Sequence, residues 1–550
     1  MNARNWIALW TAALLFPIAS ACSQSPIAPA ASYIVKDTVL GPMSADLSSP
    51  VISPDGRHVA CIATSAVAGA TSHVLLDGQP GPSFDQINKI SLTFSPDGER
   101  LAYAAARGKK WLAVVDGKFD GECDGVDDRF IFSPDSNHVA YMASKGNKWY
   151  VIVDGQEQLE EGDHDAFDLA FSPSSNHLAY AVARGEQWMV VVDSDVARAY
   201  DDYAQGSLLF SADSKHIAYA VGHGDQWLVV SDRLVGPQYD AYGVGSLVFS
   251  PDGNRVAYAV ENGQTWMVVI DNQPGPQYDD IGEGTLLFSA DSKRIAYVAQ
   301  KSDKSLVVVD GKPGPAYDTI LKGSPVFSPD GARVAYVARN GDKSMAVVDG
   351  VPGAEYDAIG VSAPSVGPAG KHAAYPAKNG GTWFGSGTGV EGPAQKNFDS
   401  LGKSTLTFSP DSKHVTFAAS TGHQWSQIID GHAGPAFDGL GQFPPVFSPD
   451  GTHVAYMAIK GDKWQLVMDN RPGDLFDDYE EGSLVFSPDG KHVAYAVEQN
   501  QKWQLILDDQ SGATYDQLVP HPPAFSRNGN LEFLAIRAGT LYRVEYIPNR

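Results

Sequence analysis

Twelve times along the 550-residue chain a histidine or arginine stands six residues past a short apolar run that ends in a Ser-Pro-Asp-type turn. The series is His58, Arg100, His138, His177, His216, Arg255, Arg294, Arg333, His372, His414, His453 and His492. All but His372 are followed by an aspartate that closes a second strand, as in Arg255 with Asp271 or His453 with Asp469. Imidazole beside carboxylate is the pairing of general acid–base chemistry, and eight histidines are also a possible metal-ligand set. Free exchange with arginine argues against both, because arginine keeps a carboxylate partner but is not a usual metal ligand. The series therefore reads as a ladder of cross-strand pairs, each contributing about 0.2–1 kcal/mol. No catalytic residue, metal or cofactor is expected from it.

A second set is an aromatic-Asp pair nine or ten residues before each turn, with carboxylates at Asp85, Asp201, Asp240, Asp279, Asp318, Asp357, Asp399, Asp438, Asp477 and Asp516. A ring of carboxylates at a channel mouth would attract a cationic or amide-rich partner, and these ten are the candidate binding residues. Their near-identity from copy to copy equally fits aspartates that cap their own loops. Departures from the pattern are better markers of a site. Glu157–Asp168 gathers Glu160, Glu161, Asp163, His164 and Asp165 without a recognised calcium-loop spacing, and Trp383–Gly392 is glycine-rich.

The elements that position these residues follow from the repeat. Anchors at Ile52, Phe94, Phe132, Phe171, Phe210, Phe249, Phe288, Phe327, Val366, Phe408, Phe447, Phe486 and Phe525 mark thirteen copies of about 39 residues. A period near 40 built of short strands implies an all-β chain, a β-propeller of four-stranded blades. In the copy around Phe249, strand A ends at Pro251-Asp252-Gly253, strand B runs from Arg255 to Val260, strand C from Thr265 to Asp271, and strand D to about Tyr278. Asn262-Gly263 is a strong hairpin signal between B and C. Pairing across it puts Tyr258 roughly opposite Val268, with Trp266 on the tyrosine face and Ala257 and Ala259 on the other. All nine tryptophans beyond residue 10 share Trp266's place in the repeat, as core between blades.

Because propellers commonly have 4 to 8 blades, two tandem rings are expected, seven blades plus six, spanning 33–365 and 366–550. The two 42-residue spacings, Ile52 to Phe94 and Val366 to Phe408, mark where each ring would open. The segment Tyr33 to Val39 is placed to close the last blade by hiding two unpaired strand edges.

The F-S-P-D-G-x-x-x-A-Y core, seen at Phe249–Tyr258, Phe327–Tyr336 and Phe447–Tyr456, resembles the WD-like propeller repeat of TolB and related bacterial envelope proteins. The likeness runs from about Ile52 to Phe533. It implies a binding platform or a propeller appendage to a peptidase; the G-x-S-x-G elbow of a hydrolase domain is not found. Gly146-Asn147-Lys148-Trp149 is one residue short of the quinone-dehydrogenase docking motif.

Residues 1–21 read as an export signal, with Arg4, an apolar stretch from Trp6 to Ile18, and Ala19-Ser20-Ala21 as a small-residue cleavage site. Cys22 follows, resembling the acylated cysteine of a lipobox, and 22–32 is a flexible spacer. The formal charge of −25 argues against nucleic acid. Two other cysteines remain, Cys61 at a core tyrosine position and Cys123, and their spacing defines no disulfide. The reading is a non-enzymatic protein- or peptide-binding scaffold, exported to the periplasm or outer membrane and touching membrane only through Cys22. The alternative is a lyase or hydrolase with its site at the channel mouth. Cys22→Ala is expected to move the protein from the membrane to the soluble envelope fraction. Retention of the variant in membranes would overturn the anchor.

Overall fold

The computed structural model describes residues 33–548 except 43–46, 65–70, 120, 147, 163–166, 361–364, 367–372, 389–397, 403–405, 520–521 and 527–528. Every element within them is a strand, a bridge or a turn. Cys22, the export signal and the spacer lie outside the described residues, as do Asp163, His164, Asp165 and His372.

Thirteen antiparallel sheets follow one another along the chain. Blade 6 is typical. Strand A is broken into Ala241–Tyr242 and Val248–Phe249, both paired with strand B, Val256–Asn262; strands C, Thr265–Ile270, and D, Gln273–Tyr278, complete it. The A–B turn is built by its own residues. Ser250 Oγ donates to Asp252 Oδ1 (2.6 Å) and accepts from the Arg255 N–H (3.0 Å), and Gly253 takes φ +78°, a conformation that costs glycine little.

The register corrects one expectation. Asn262 pairs with Thr265 and Tyr258 with Val269, so the turn is centred on Gly263-Gln264. The shift from the expected pairing moves the tryptophan to the other face, since strand side chains alternate. Trp266 therefore lies with Ala257, Ala259 and Val268, against Tyr297, Ile281 and Leu306 of blade 7. The tyrosine face, with Tyr258, Val260, Met267 and Val269, meets Ala218, Ala220 and Trp227 of blade 5. Small and large faces interlock at each junction, and Tyr258 and Ala257 are fully buried.

This packing runs without a break from blade 1 to blade 13, and blade 13 packs on blade 1 through Leu40, Leu534 and Leu541 against Val59. Arg57 adds a two-pronged contact to Glu532 (2.9 and 3.1 Å). The chain is one thirteen-blade propeller. The expected division into rings of seven and six is not what forms. Residue 366 lies in the ninth blade, and its junction with the eighth is an ordinary one, with Tyr356 edge-on to Tyr375 at 6.2 Å. The 42-residue spacings have another cause. In blade 1 the extra residues fall between strands Val59–Thr64 and Ser72–Leu76, and in blade 9 between Thr382–Thr388 and the bridge at Phe398. They fall inside blades and mark no boundary.

Closure occurs as expected. Tyr33–Pro42 pairs antiparallel with Thr540–Pro548 and supplies strand D of blade 13. Asp37 on this strand accepts from Tyr515 Oη (2.8 Å) and from Arg537 (2.7 Å). Cys61 is buried at the tyrosine position, paired with Leu75. It and Cys123 are both free thiols. Deleting residues 33–42 is expected to bare the edge of the 540–548 strand, lower the melting temperature and cause self-association in size-exclusion chromatography. A monodisperse monomer with unchanged melting would overturn this closure.

Candidate functional site

The propeller has two loop-bearing ends, and the ladder and the aspartate ring occupy opposite ones. The ladder lies at the A–B and C–D turns. Arg255 Nε donates to Asp271 Oδ2 at 3.0 Å, and the imidazoles of His138, His216 and His453 lie 2.7, 2.6 and 2.8 Å from Asp154, Asp232 and Asp469. The second carboxylate oxygen takes a strand N–H, as Val256 to Asp271 (2.9 Å). Both oxygens of the aspartate are thus used by the scaffold, as the repeat implied. Among the described residues no three His, Cys, Asp or Glu side chains converge as a metal would require.

The aspartate ring lies at the other end, beside the B–C turns. Each carboxylate reaches the turn of the following blade: Asp240 accepts from the Gly263 N–H (2.7 Å), Asp279 from Ser302 (2.6 Å), Asp85 from Gly108 (2.6 Å), Asp399 from Gly422 (2.6 Å) and Asp438 from Gly461 (2.7 Å). Asp201 does so with Gly224 (2.7 Å). Asp318, Asp357, Asp477 and Asp516 make the same bond and are also paired with Lys304, Lys343, Lys463 and Lys502 of the blade they leave. The ten carboxylates are latches between successive blades. Lysine first and turn N–H second hold Asp357, Asp477 and Asp516 below the usual carboxylate range; at Asp318 the Gly341 N–H leads.

What varies from blade to blade lies between the two halves of strand A. In blade 6 the chain leaves the ladder after Tyr242, Gly243 donates to the Ala259 carbonyl (2.9 Å), and Ser246 Oγ accepts from the Ala259 N–H (2.9 Å). Residue 244 is left at the tip of a fixed shoulder. The same shoulder, closed by Ser91, Ser207, Thr285, Ser324 and Ser483, recurs in blades 2, 5, 7, 8 and 12. The tips are Lys89, Gln205, Val244, Glu283, Lys322 and Glu481, all exposed. Ile90 and Phe443 follow the tip in blades 2 and 11, where other blades have glycine, and are 74% and 53% exposed; Val244 is 70% exposed. The A strands of blades 2 and 3, 3 and 4, and 11 and 12 touch one another, so the A strands with their shoulders lie on the inner side of the blades. These residues were not singled out from sequence. Their signal was present as a variable residue framed by Gly and Ser, as in Gly243-Val244-Gly245-Ser246 and Gly282-Glu283-Gly284-Thr285.

The fold defines the chain as a β-propeller repeat protein. No family model matches it, and no curated protein does. Among solved structures it is similar to the β-propeller domain of the Trilobed protease from Pyrococcus furiosus, at 14% identity over 48% of this chain and 93% of that one, TM-score 0.24. It is similar to TolB from Acinetobacter baumannii at 14% identity over 54% and 80%, TM-score 0.21. The GH74 enzyme of Niastella koreensis is matched at 12% identity over 92% of each chain, TM-score 0.21.

Turn and latch aspartates give the protein a defined acid response. A serine hydroxyl holds the Asp252 carboxyl at about 2 and depresses Asp97, Asp291 and Asp330 likewise. Folded values below the unfolded value of about 3.9 mean that the stabilisation is complete above that pH and disappears as pH falls through the folded values. Urea midpoints are expected to hold down to about pH 5 and to fall steeply between about pH 4 and pH 2. A midpoint that rises across that interval would contradict the latches.

Proposed function

We propose that this protein is a non-enzymatic scaffold of the bacterial cell envelope that binds a protein or peptide partner through the A-strand shoulders of its thirteen-blade ring. The observation that carries the reading is the contrast between the two kinds of residue at the B–C end. Ten aspartates are nearly identical from blade to blade and are consumed by latches. The tips beside them are fixed by the same backbone hydrogen bonds yet differ in charge and size, from Lys89 and Val244 to Glu283 and Glu481. A rigid repeat that varies only its projecting residues presents an extended surface for recognition.

The chemistry of the tips fits a polypeptide. Ile90, Val244 and Phe443 expose apolar surface, while Lys89, Lys322, Glu283 and Glu481 supply both signs of charge. The charge of −25 disfavours a nucleic acid. The resemblance of the F-S-P-D-G-x-x-x-A-Y core to TolB-type repeats, together with the export signal and Cys22, supports an envelope location with a lipid tether.

Pull-down from envelope membranes with the full chain, compared with an Ile90→Asp, Val244→Asp, Phe443→Asp variant, tests the surface. The variant is expected to retain the parent's melting temperature and to lose most of the recovered partner. Equal recovery by the two proteins would overturn the assignment to the shoulders.

A further inference from the structure

The ladder end carries a second site, at the junction of blades 3 and 4, where Gln158 and Ser194 meet one of the ladder's eight histidines. Three other junctions show what an arginine does in this place. Arg100 of blade 2 donates through Nε to Asp116 (3.0 Å), lies over the ring of Phe132 in blade 3 (5.3 Å) and donates to the carbonyls of Ser136 (3.1 Å) and Asn137 (2.6 Å). Arg294 repeats this on Asp310 (3.1 Å), Phe327 (5.7 Å) and the Ala332 carbonyl (2.7 Å), and Arg255 lies over Phe288 at 5.4 Å. A guanidinium is the group that bridges these blades.

At the blade 3–4 junction the arginine position is His138. Its Nδ1 is taken by Asp154 (2.7 Å), and its ring stacks on Phe171 at 6.4 Å. An imidazole is too short to reach on to Ser175 and Asn176, which stand where Ser136 and Asn137 receive Arg100. Gln158 departs from the repeat, in place of the glycine found at 236, 275, 314, 353, 434, 473 and 512. That glycine closes strand D over the tyrosine of the next blade: a Cβ on Gly236 would lie 3.2 Å from Tyr258 Oη. Ser194 stands where Asn272 and Asn470 receive this hydroxyl in blades 6 and 11, from Tyr258 Oη (3.2 Å) and Tyr456 Oη (3.3 Å). Ser194 instead reaches Gln158 (3.4 Å), and the buried Tyr180 hydroxyl has no hydrogen-bond partner among the described residues.

The result is a cavity of about 210 Å³ lined by His138, Phe171, Ser175, Asn176 and Gln158, with Tyr180 and Asp193 at its wall. It is smaller than the ~300 Å³ at which drug-sized ligand pockets begin, which suits the end of one side chain. We propose that this cavity binds a guanidinium group supplied from outside, an arginine side chain or a free arginine-like molecule, in the place that Arg100, Arg255 and Arg294 fill at their own junctions. Phe171, which His138 shares, and the turn at Ser175 and Asn176 correspond to the internal arginine's surroundings, the Tyr180 oxygen adds an unused acceptor, and Asp193 in the lining favours a cation. This site lies at the opposite end from the shoulders and stands independently of them.

The test is saturation-transfer NMR on the full chain with N-acetyl-argininamide, its citrulline counterpart and an arginine-centred tetrapeptide. The arginine probe is expected to bind and the isosteric, uncharged citrulline probe to show no transfer. A tetrapeptide that binds more tightly assigns the cavity to peptide recognition, and equal binding assigns it to the guanidinium alone. His138→Arg, which supplies the guanidinium internally, is expected to weaken the arginine probe at least tenfold while preserving or raising the melting temperature; Tyr180→Phe is expected to weaken it severalfold. Absence of transfer to the arginine probe, equal transfer to citrulline, or undiminished binding by a folded His138→Arg protein would overturn the proposal.

Discussion

Everything in this molecule depends on one asymmetric contact, the alanine-and-tryptophan face of a blade against the tyrosine face of the next. Ala218 and Ala220 receive Tyr258, and Ala257 and Ala259 receive Tyr297. Because each blade carries both halves of the contact, any blade can follow any other, and neither half defines a ring size. What limits the number is the angle at which a small face meets a large one. A closed ring of thirteen turns only about 28° at each junction, against about 45° to 90° in rings of 8 to 4 blades. The chain completes the ring by donating strand Tyr33–Pro42 to its last blade.

The polar bonds that accompany the contact are solved in two ways at one position. Where the A–B turn carries serine in the left-handed conformation, the hydroxyl reaches back and accepts from the preceding blade, as Ser136 does from the Asp97 N–H (3.0 Å) and Ser292 from Asp252 (2.9 Å). Where it carries glycine, the preceding aspartate comes too close for a side chain: a Cβ on Gly98 or Gly253 would lie 2.5 or 2.6 Å from Asp55 or Asp213. The same economy of position recurs in the ladder, where Arg100 and Arg294 reach backbone carbonyls of the next blade and His138 meets it through its ring. A substitution that is silent within one blade therefore changes the joint to its neighbour.

The repeat, the strand order, the ladder and the closure by Tyr33–Pro42 were legible in the chain because each is written as period, turn residue or unpaired edge. The face of Trp266 was not, because Asn262-Gly263 is a hairpin signal one residue away from the turn that forms, and one residue exchanges the faces of a strand. Ring size was misread because inserted residues at 65–70 and 389–397 resemble boundaries when only spacing is visible. The aspartates were visible as a set, but their acceptor role required the next blade's turn to be in place. The shoulder tips were hidden by a break in strand A, and the cavity was hidden because His138, Gln158 and Ser194 belong to two blades. Glu157–Asp168 was recognised as a departure for its acidity, whereas its described consequence comes from the missing glycine at 158.

Tyr33, near the start of the described chain, pairs with Pro548, near its end. The strand made first is therefore the last to find its place, and every residue between must be synthesised before it can. Loop-closure entropy of this kind slows folding, but it also acts as a completeness check. A product that stops short of residues 540–548 leaves strand Tyr33–Pro42 with a bare β edge.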